Sequence, residues 1–225
     1  TGERLTVQDL LYGLMLRSAN DAAIALAFHT AGTVDAFVNE MNALAERLGL
    51  KDTHFENPHG LDGETHYTTA YELSLIAAEA LENELFAKIV STEKKMIPLH
   101  NGTATRLLVN HNRLLREYED IIGVKTGFTK KCGRTLVSAA ERDGVRLICV
   151  TLNDGNDWND HCRLIEDGFA NFTCKTIVSK GDVLGAVSVL SGTDSLGFLF
   201  SSYNELYDRC FRLHTTHIPY REFEE

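Results

Sequence analysis

The sequence contains no long apolar run. A helix that crosses a bilayer needs about 18 or more consecutive, mostly apolar residues, and no such stretch occurs in the 225 residues. No initiator Met or export signal stands at Thr1 either, so we expect a processed chain or a fragment of a longer one. Any membrane association is therefore expected only through segments outside this chain.

Positive charge is also scarce. The chain has 22 Lys and Arg against 32 Asp and Glu, a formal net charge of −10, and no basic stripe offsets it. Proteins that bind nucleic acids concentrate Lys and Arg where they neutralise phosphates, so the sequence argues against that class of partner. With 44% hydrophobic and 24% charged residues, the composition is that of a folded globular protein.

The spacings that mark disulfide frameworks and metal sites are missing. The five cysteines are odd in number and include no C-x-x-C pair, and we interpret Cys149 and Cys162 as small buried apolar residues. No H-E-x-x-H pattern occurs among the candidate acid/base or metal-ligating residues, which are His59, Asp62, His100, His111 and Asp160-His161. We therefore expect no metal and no cofactor, and interpret His59-Gly60-Leu61-Asp62 as a structural loop.

The first part of the chain has the periodicity of helices. Thr6 and Asp9 form a near capping box, and apolar residues at helical spacing continue to about Leu16. A second helix is predicted over 22–30, a third over 34–48, and a fourth from Thr68 or Thr69 to Leu81. Ser18 and Asn20 are thus predicted to lie at a junction between two helices.

Strand patterns dominate the following part. Short β-like pieces are predicted from Ile89 to Val109, with Asn101-Gly102 as a hairpin signal. Three further strands are predicted over 121–126, 135–140 and 145–152, the last two antiparallel, and a helix over 158–172 is expected to cover them. Helices with an antiparallel sheet give an α+β domain, and we place its boundary at about 173–179.

Two short motifs carry the chemistry. Lys125-Thr126-Gly127 follows a β-branched segment, and Ser18-Ala19-Asn20 interrupts helical sequence. In the local sequence alone, Ser18 and Asn20 are also consistent with helix caps, and Lys125 with a solvated lysine at a strand end. The pair of motifs in this order is instead typical of serine acyl transfer.

With these residues in view, the chain resembles the low-molecular-mass penicillin-binding proteins that are serine-type D-alanyl-D-alanine carboxypeptidases. The resemblance implies a β-lactamase/transpeptidase-like α+β fold in which residues 1–175 are the C-terminal part of the catalytic domain and residues 176–225 begin a small β-rich domain. The matching stretches are 6–10, 18–27, 59–62, 112–115, 123–127 and 164–172.

The resemblance also implies roles for individual residues. Ser18 would relay a proton to the departing D-alanine, and Asn20 would orient the substrate. Lys125 and Thr126 would bind the substrate carboxylate, with the Lys125 charge also acting near the nucleophile. Gly127 would leave room for an extended peptide along the strand, and the backbone N–H of Phe128 would donate to the oxyanion. The implied partners are a peptidoglycan stem peptide ending in D-Ala-D-Ala and β-lactams, outside the cytoplasm.

The family's first motif, the Ser-x-x-Lys that supplies the nucleophile, does not precede Ser18. We expect that segment to lie outside this chain, and expect the chain alone to be inactive. Ser91-Thr92-Glu93-Lys94 fits the pattern, but it follows Ser18 in a polar β-like segment, so we interpret it as coincidental. Two alternatives stay open, a non-catalytic member that binds peptidoglycan peptides and a β-lactamase-like hydrolase.

Overall fold

The computed structural model describes residues 3–99 and 102–175, and it describes the backbone of two strands further along, 183–188 and 195–199. Contacts divide the chain into two compact units between Thr173 and Cys174. Each unit is described by itself, and the assignment of the two units to a catalytic domain and an incomplete β-rich domain stays a prediction.

The first unit opens with helices. The Thr6 capping box is confirmed, because the Asp9 N–H donates to Thr6 Oγ1 at 3.1 Å while the Asp9 carboxylate accepts from the Thr6 N–H. The second helix begins two residues earlier than predicted, at Asn20. The first four helices are α1 (Val7–Arg17), α2 (Asn20–Ala31), α3 (Val34–Arg47) and α4 (Ala70–Leu81).

A fifth helix, α5 (Glu84–Val90), was not predicted. Ile89 and Val90 lie in this helix and are buried, so the prediction of β-like structure from Ile89 onward is wrong at its start. The helix has only seven residues, too few for its periodicity to appear in the sequence. Its visible signal is the Asn83 side chain, which accepts from the N–H groups of the first turn.

Beyond α5, the predicted hairpin and three-stranded sheet are confirmed. The hairpin pairs β1 (Lys94–Leu99) with β2 (Ala104–Val109). After the short α6 (Leu114–Glu117), the sheet has the antiparallel order β3-β4-β5. Its strands are β3 (Ile121–Thr129), β4 (Gly133–Arg142) and β5 (Val145–Leu152). Asp143 and Gly144 join the last two with φ values of 51° and 78°, the conformation of a tight two-residue hairpin.

Helices cover both faces of the sheet, because side chains alternate along each strand. One face packs Val124, Val137 and Ala139 against residues of α4 and α5. The other packs Leu136 and Ala140 against α6 and the predicted closing helix α7 (Asp157–Asn171). A separate cluster joins α1 to the β1–β2 hairpin. This layered α+β arrangement confirms the predicted fold class and fixes β3 relative to the end of α1.

The described part of the second unit consists of two strands. β6 (Val183–Ser188) pairs antiparallel with β7 (Ser195–Leu199). In the part of the chain described here, no helix is long and apolar enough to cross a membrane.

Candidate active site

Ser18 occupies the sharp junction between α1 and α2. It is the C-cap residue of α1, its N–H donates to the Leu14 carbonyl at 2.9 Å, and its φ of 55° lies in the left-handed region. Residues other than glycine rarely adopt this conformation, and it often occurs at functional sites. The N-cap of α2 is Ala19, without a side-chain cap, so the interpretation of Ser18 as a cap of the second helix is wrong.

Lys125 reaches Ser18 from the middle of β3. Its Nζ donates to Ser18 Oγ and to the carbonyl of Thr126, the latter at 2.7 Å. The two residues are 107 positions apart in sequence, and the contact therefore depends on the tertiary fold. Since Lys125 donates to Ser18 Oγ, the hydroxyl hydrogen of Ser18 is free to be donated to a third group.

Burial changes the acidity of Lys125. The side chain is half-buried, and desolvation lowers its pKa from 10.5 to about 8. None of the ion pairs among the described residues includes Lys125. The ammonium is thus still mostly charged at pH 7.

A buried asparagine holds the start of β3. Asn112 is fully buried and its Nδ2 donates to the Gly123 carbonyl at 3.0 Å. Gly123 also allows β3 to approach α5, since a Cβ at this position would lie 2.9 Å from Val90 Cγ2. These contacts hold the start of β3 against α5 and against the Asn112 segment.

β3 is an edge strand within the described residues, because β4 is its only neighbour there. Gly127 is exposed, and the Phe128 side chain is 70% exposed. A Cβ on Gly127 would clash with Thr135 Oγ1 on β4, so packing within the sheet also favours glycine at this position. The open edge next to Lys125 can accept an extended peptide as an additional strand.

Some of the predicted site residues contact one another in the structure, and others do not. Ser18, Lys125 and Thr126 form one hydrogen-bonded group, and Gly127 and Phe128 continue it along β3. Asn20 is exposed, and its side chain makes no hydrogen bond with any of the described residues. The roles of all six stay predictions.

Two residues near the site, His111 and Asp62, make contacts that the sequence does not predict. His111 donates its N–H to the Leu16 carbonyl at 3.1 Å, and burial, followed by the charges of Arg17 and Lys125, lowers its pKa. Asp62 lies in the predicted loop, and its carboxylate accepts from Thr129 Oγ1 at the end of β3, at 2.7 Å.

The other candidate sites remain without support. Among residues 3–99 and 102–175, no group of His, Cys, Asp or Glu is arranged to hold a metal ion. Ser91 caps the C-terminus of α5 while Lys94 starts β1, so they do not face each other one turn apart on a helix. The predicted β-like setting of Ser91 is therefore wrong. Cysteines 132, 149, 162 and 174 are free.

Known proteins that resemble this chain share one family. The family model for D-alanyl-D-alanine carboxypeptidases matches residues 1–156. The chain is 32% identical to the D-alanyl-D-alanine carboxypeptidase DacF of Bacillus subtilis, over 85% of this chain and 50% of that protein. It is 40% identical to DacB2 of Mycobacterium tuberculosis, over 75% of this chain and 60% of that protein. The chain thus spans about half to three fifths of the length of these relatives.

Solved structures show the same fold. A penicillin-binding protein homolog from Mycobacterium tuberculosis superposes with a TM-score of 0.71 at 37% identity, covering 79% of this chain and 70% of that one. The Streptomyces K15 DD-transpeptidase gives a TM-score of 0.70 at 35% identity, covering 73% and 68%. The matched residues include the Ser18 junction and the Lys125 strand, and the chain belongs to the D-alanyl-D-alanine carboxypeptidase family.

Proposed function

We propose that the protein containing this chain is a serine D-alanyl-D-alanine carboxypeptidase that trims peptidoglycan stem peptides outside the cytoplasm and is acylated by β-lactams. Family membership supports the reaction class, while the chain covers only part of its relatives. The observation that carries the proposal is the hydrogen bond from Lys125 Nζ to Ser18 Oγ at the open edge of β3.

The open edge of β3 suits an extended peptide with a free C-terminal carboxylate. Such a peptide can pair with the strand at Gly127, where no side chain obstructs it. The charge on Lys125 and the hydroxyl of Thr126 would hold the carboxylate, which places the last peptide bond near Ser18. The N–H of Phe128 would then donate to the carbonyl oxygen as it becomes an oxyanion.

The chemistry requires a nucleophile as well, which we assign to a Ser-x-x-Lys segment outside residues 1–225. Its serine Oγ forms a bond to the carbonyl carbon of the penultimate D-alanine, and the bond from that carbon to the terminal D-alanine nitrogen breaks. The serine proton passes through the lysine of that segment and the Ser18 hydroxyl to the departing amine. Water then hydrolyses the ester and restores the serine hydroxyl.

Ser18 is suited to this relay for a geometric reason. The ammonium of Lys125 occupies an acceptor position of Ser18 Oγ, which leaves the hydroxyl hydrogen directed to another acceptor. The left-handed turn at Ser18 presents the side chain between two helices instead of along one. A proton donor fixed at this place can protonate the leaving amine without moving.

The test uses the whole gene product that contains residues 1–225. We expect it to release D-alanine from a peptide ending in D-Ala-D-Ala, and expect Lys125→Ala to lower kcat/KM by about a hundredfold, because a fixed charge at an acyl-transfer site contributes on the order of 3 kcal/mol. Ser91→Ala is the matched control and should retain wild-type turnover. Free D-alanine is measured by a coupled oxidase assay.

Other outcomes point to the two alternatives. Saturable binding of the peptide without release of D-alanine would replace the enzyme by a peptide-binding protein. Rapid turnover of benzylpenicillin, measured as loss of the β-lactam ring, would indicate a β-lactamase. Normal turnover of Lys125→Ala together with loss in Ser91→Ala would reverse the assignment of the site.

A further inference from the structure

The loop between α3 and α4 is bound to the far end of β3 through one carboxylate. Asp62 Oδ1 accepts from Thr129 Oγ1 at 2.7 Å and from Cys132 Sγ at 3.0 Å. Thr129 is the last residue of β3, and Cys132 lies in the turn to β4. The two partners are 67 and 70 positions from Asp62, so the carboxylate joins two segments that are otherwise remote in sequence.

Both partners of this contact are ordered by further hydrogen bonds. On the loop side, the Asn57 side chain accepts from the N–H groups of His59 and Gly60 and donates to the Leu61 carbonyl. On the strand side, the N–H of Cys132 donates to Thr129 Oγ1 at 2.9 Å. The Asp62 carboxylate is therefore held between two preformed turns.

The end of β3 has few other restraints. β4 is its only neighbour among the described residues, and its last pairs are Phe128 with Arg134 and Thr129 with Gly133. Gly127 and Phe128 are exposed, so no apolar packing fixes them. An edge strand of this kind frays and twists at its end, and Phe128 lies one residue from the Asp62 contact.

We propose that Asp62 is a positioning residue, which holds the C-terminal end of β3 so that the Phe128 N–H and the substrate-pairing edge at Gly127 keep their place. This inference rests on the proposed function. Displacement by about 1 Å at an oxyanion donor costs up to a hundredfold in rate. The hydrogen bonds from Cys132 and Thr129, in that order, also lower the pKa of the Asp62 carboxyl, so it is anionic at neutral pH.

The experiment compares four forms of the whole gene product, namely wild type, Asp62→Ala, Asp62→Asn and Glu56→Gln. Glu56 is the matched control, because its carboxylate also accepts from a threonine, Thr65, at 2.8 Å, but that partner lies in the same loop. Active sites are counted by labelling with fluorescent penicillin. Turnover of a peptide ending in D-Ala-D-Ala is then expressed per labelled site.

For Asp62→Ala we expect kcat per labelled site to fall by about 10-fold to 100-fold with KM changed less than about threefold. Asp62→Asn should recover most of the turnover, since its amide oxygen accepts the same two hydrogen bonds, and Glu56→Gln should match wild type. Hydrogen exchange should quicken in Asp62→Ala at residues 128–133 and stay unchanged at Ser18.

The outcomes separate the two proposals. An inactive wild type that takes up no penicillin overturns the proposed function, and with it the catalytic consequence of this contact. An active wild type whose Asp62→Ala variant keeps its kcat per labelled site overturns only the positioning role. A loss confined to the number of labelled sites, with normal turnover at each, also overturns it, because Asp62 would then act on folding alone.

Discussion

The burial of Lys125 is unfavourable for stability, because its charged ammonium loses contact with water. Withdrawing an ammonium from water disfavours the charged form and lowers its pKa to about 8. Its described partners, Ser18 Oγ and the Thr126 carbonyl, are neutral and offset that cost only in part. Under the proposed function, this cation would bind the substrate carboxylate.

The pKa of Lys125 predicts the alkaline limit of activity. Because the ammonium loses its proton as pH rises through about 8, kcat/KM for D-alanine release should fall by about tenfold per unit above that pH. The profile is measured between pH 6 and about 10 on the whole gene product. In Lys125→Arg, which stays protonated throughout, the same fall near pH 8 would assign it to another group.

For individual residues, the sequence predicted which residues belong to the candidate site better than it predicted which of them contact each other. Ser18 and Lys125 follow from two motifs and do meet. Asn20 belongs to the same motif but is exposed, and it lies at the first residue of α2. The Asp62 contact with Thr129 was not predictable, because nothing in a local pattern specifies a partner 67 positions away.

Among the elements, α7 is fixed to the sheet by a buried polar group. His161 is fully buried, with Nδ1 2.9 Å from Ser138 Oγ on β4 and Nε2 3.1 Å from Thr151 Oγ1 on β5. One ring nitrogen donates and the other accepts, as in a neutral imidazole. Burial lowers the pKa of His161 to about 4, although Asp154, Asp157 and Asp160 act in the opposite direction.

The lowered pKa of His161 predicts that the folded chain loses stability in acid. In the unfolded chain His161 takes up a proton near pH 6.5, whereas in the folded chain it stays neutral until about pH 4. Above about pH 6.5, His161 therefore makes its full contribution to the free energy of unfolding. This contribution is lost as the pH falls towards 4, by on the order of 1 kcal/mol per pH unit. The free energy of unfolding of residues 1–225 in urea measures it.

The comparison variant is His161→Gln, which does not titrate. It should be less stable than wild type at pH 7, and the difference in free energy of unfolding between the two forms should shrink between pH 6 and about 4.5. Surface carboxylates titrate in both forms, so their effects cancel in this difference. A constant difference over that range would show that His161 takes up its proton at the same pH in the folded and the unfolded chain.

Elements were predictable where their periodicity is long. α1, α3, α4 and the three strands of the sheet follow from repeats of several turns or pairs. α5 was missed because seven residues give barely two turns, and its stability comes from packing Ile89 and Val90 into the core. Tertiary packing of this kind leaves no recognisable pattern in a short stretch of sequence.

For the molecule as a whole, the proposed function divides the active site between this chain and a Ser-x-x-Lys segment outside it, and this division gives a prediction. Residues 1–225 alone should form no covalent adduct with benzylpenicillin, because the Ser-x-x-Lys nucleophile is assigned to a segment outside them. Intact-mass measurement after incubation checks this. A stoichiometric acyl adduct would show that a serine of this chain, Ser18 or Ser91 among them, is the nucleophile.

The order in which the chain is made also bears on the Ser18 to Lys125 contact. Closing a loop of 107 residues costs conformational entropy that local helix formation does not repay. α1 and α2 are synthesised before β3, so a nascent chain contains Ser18 before it contains Lys125. Under the proposed function, catalytic competence would therefore require the sheet to dock onto the helices, and a chain truncated before β3 should neither cleave peptide bonds nor be acylated by a β-lactam.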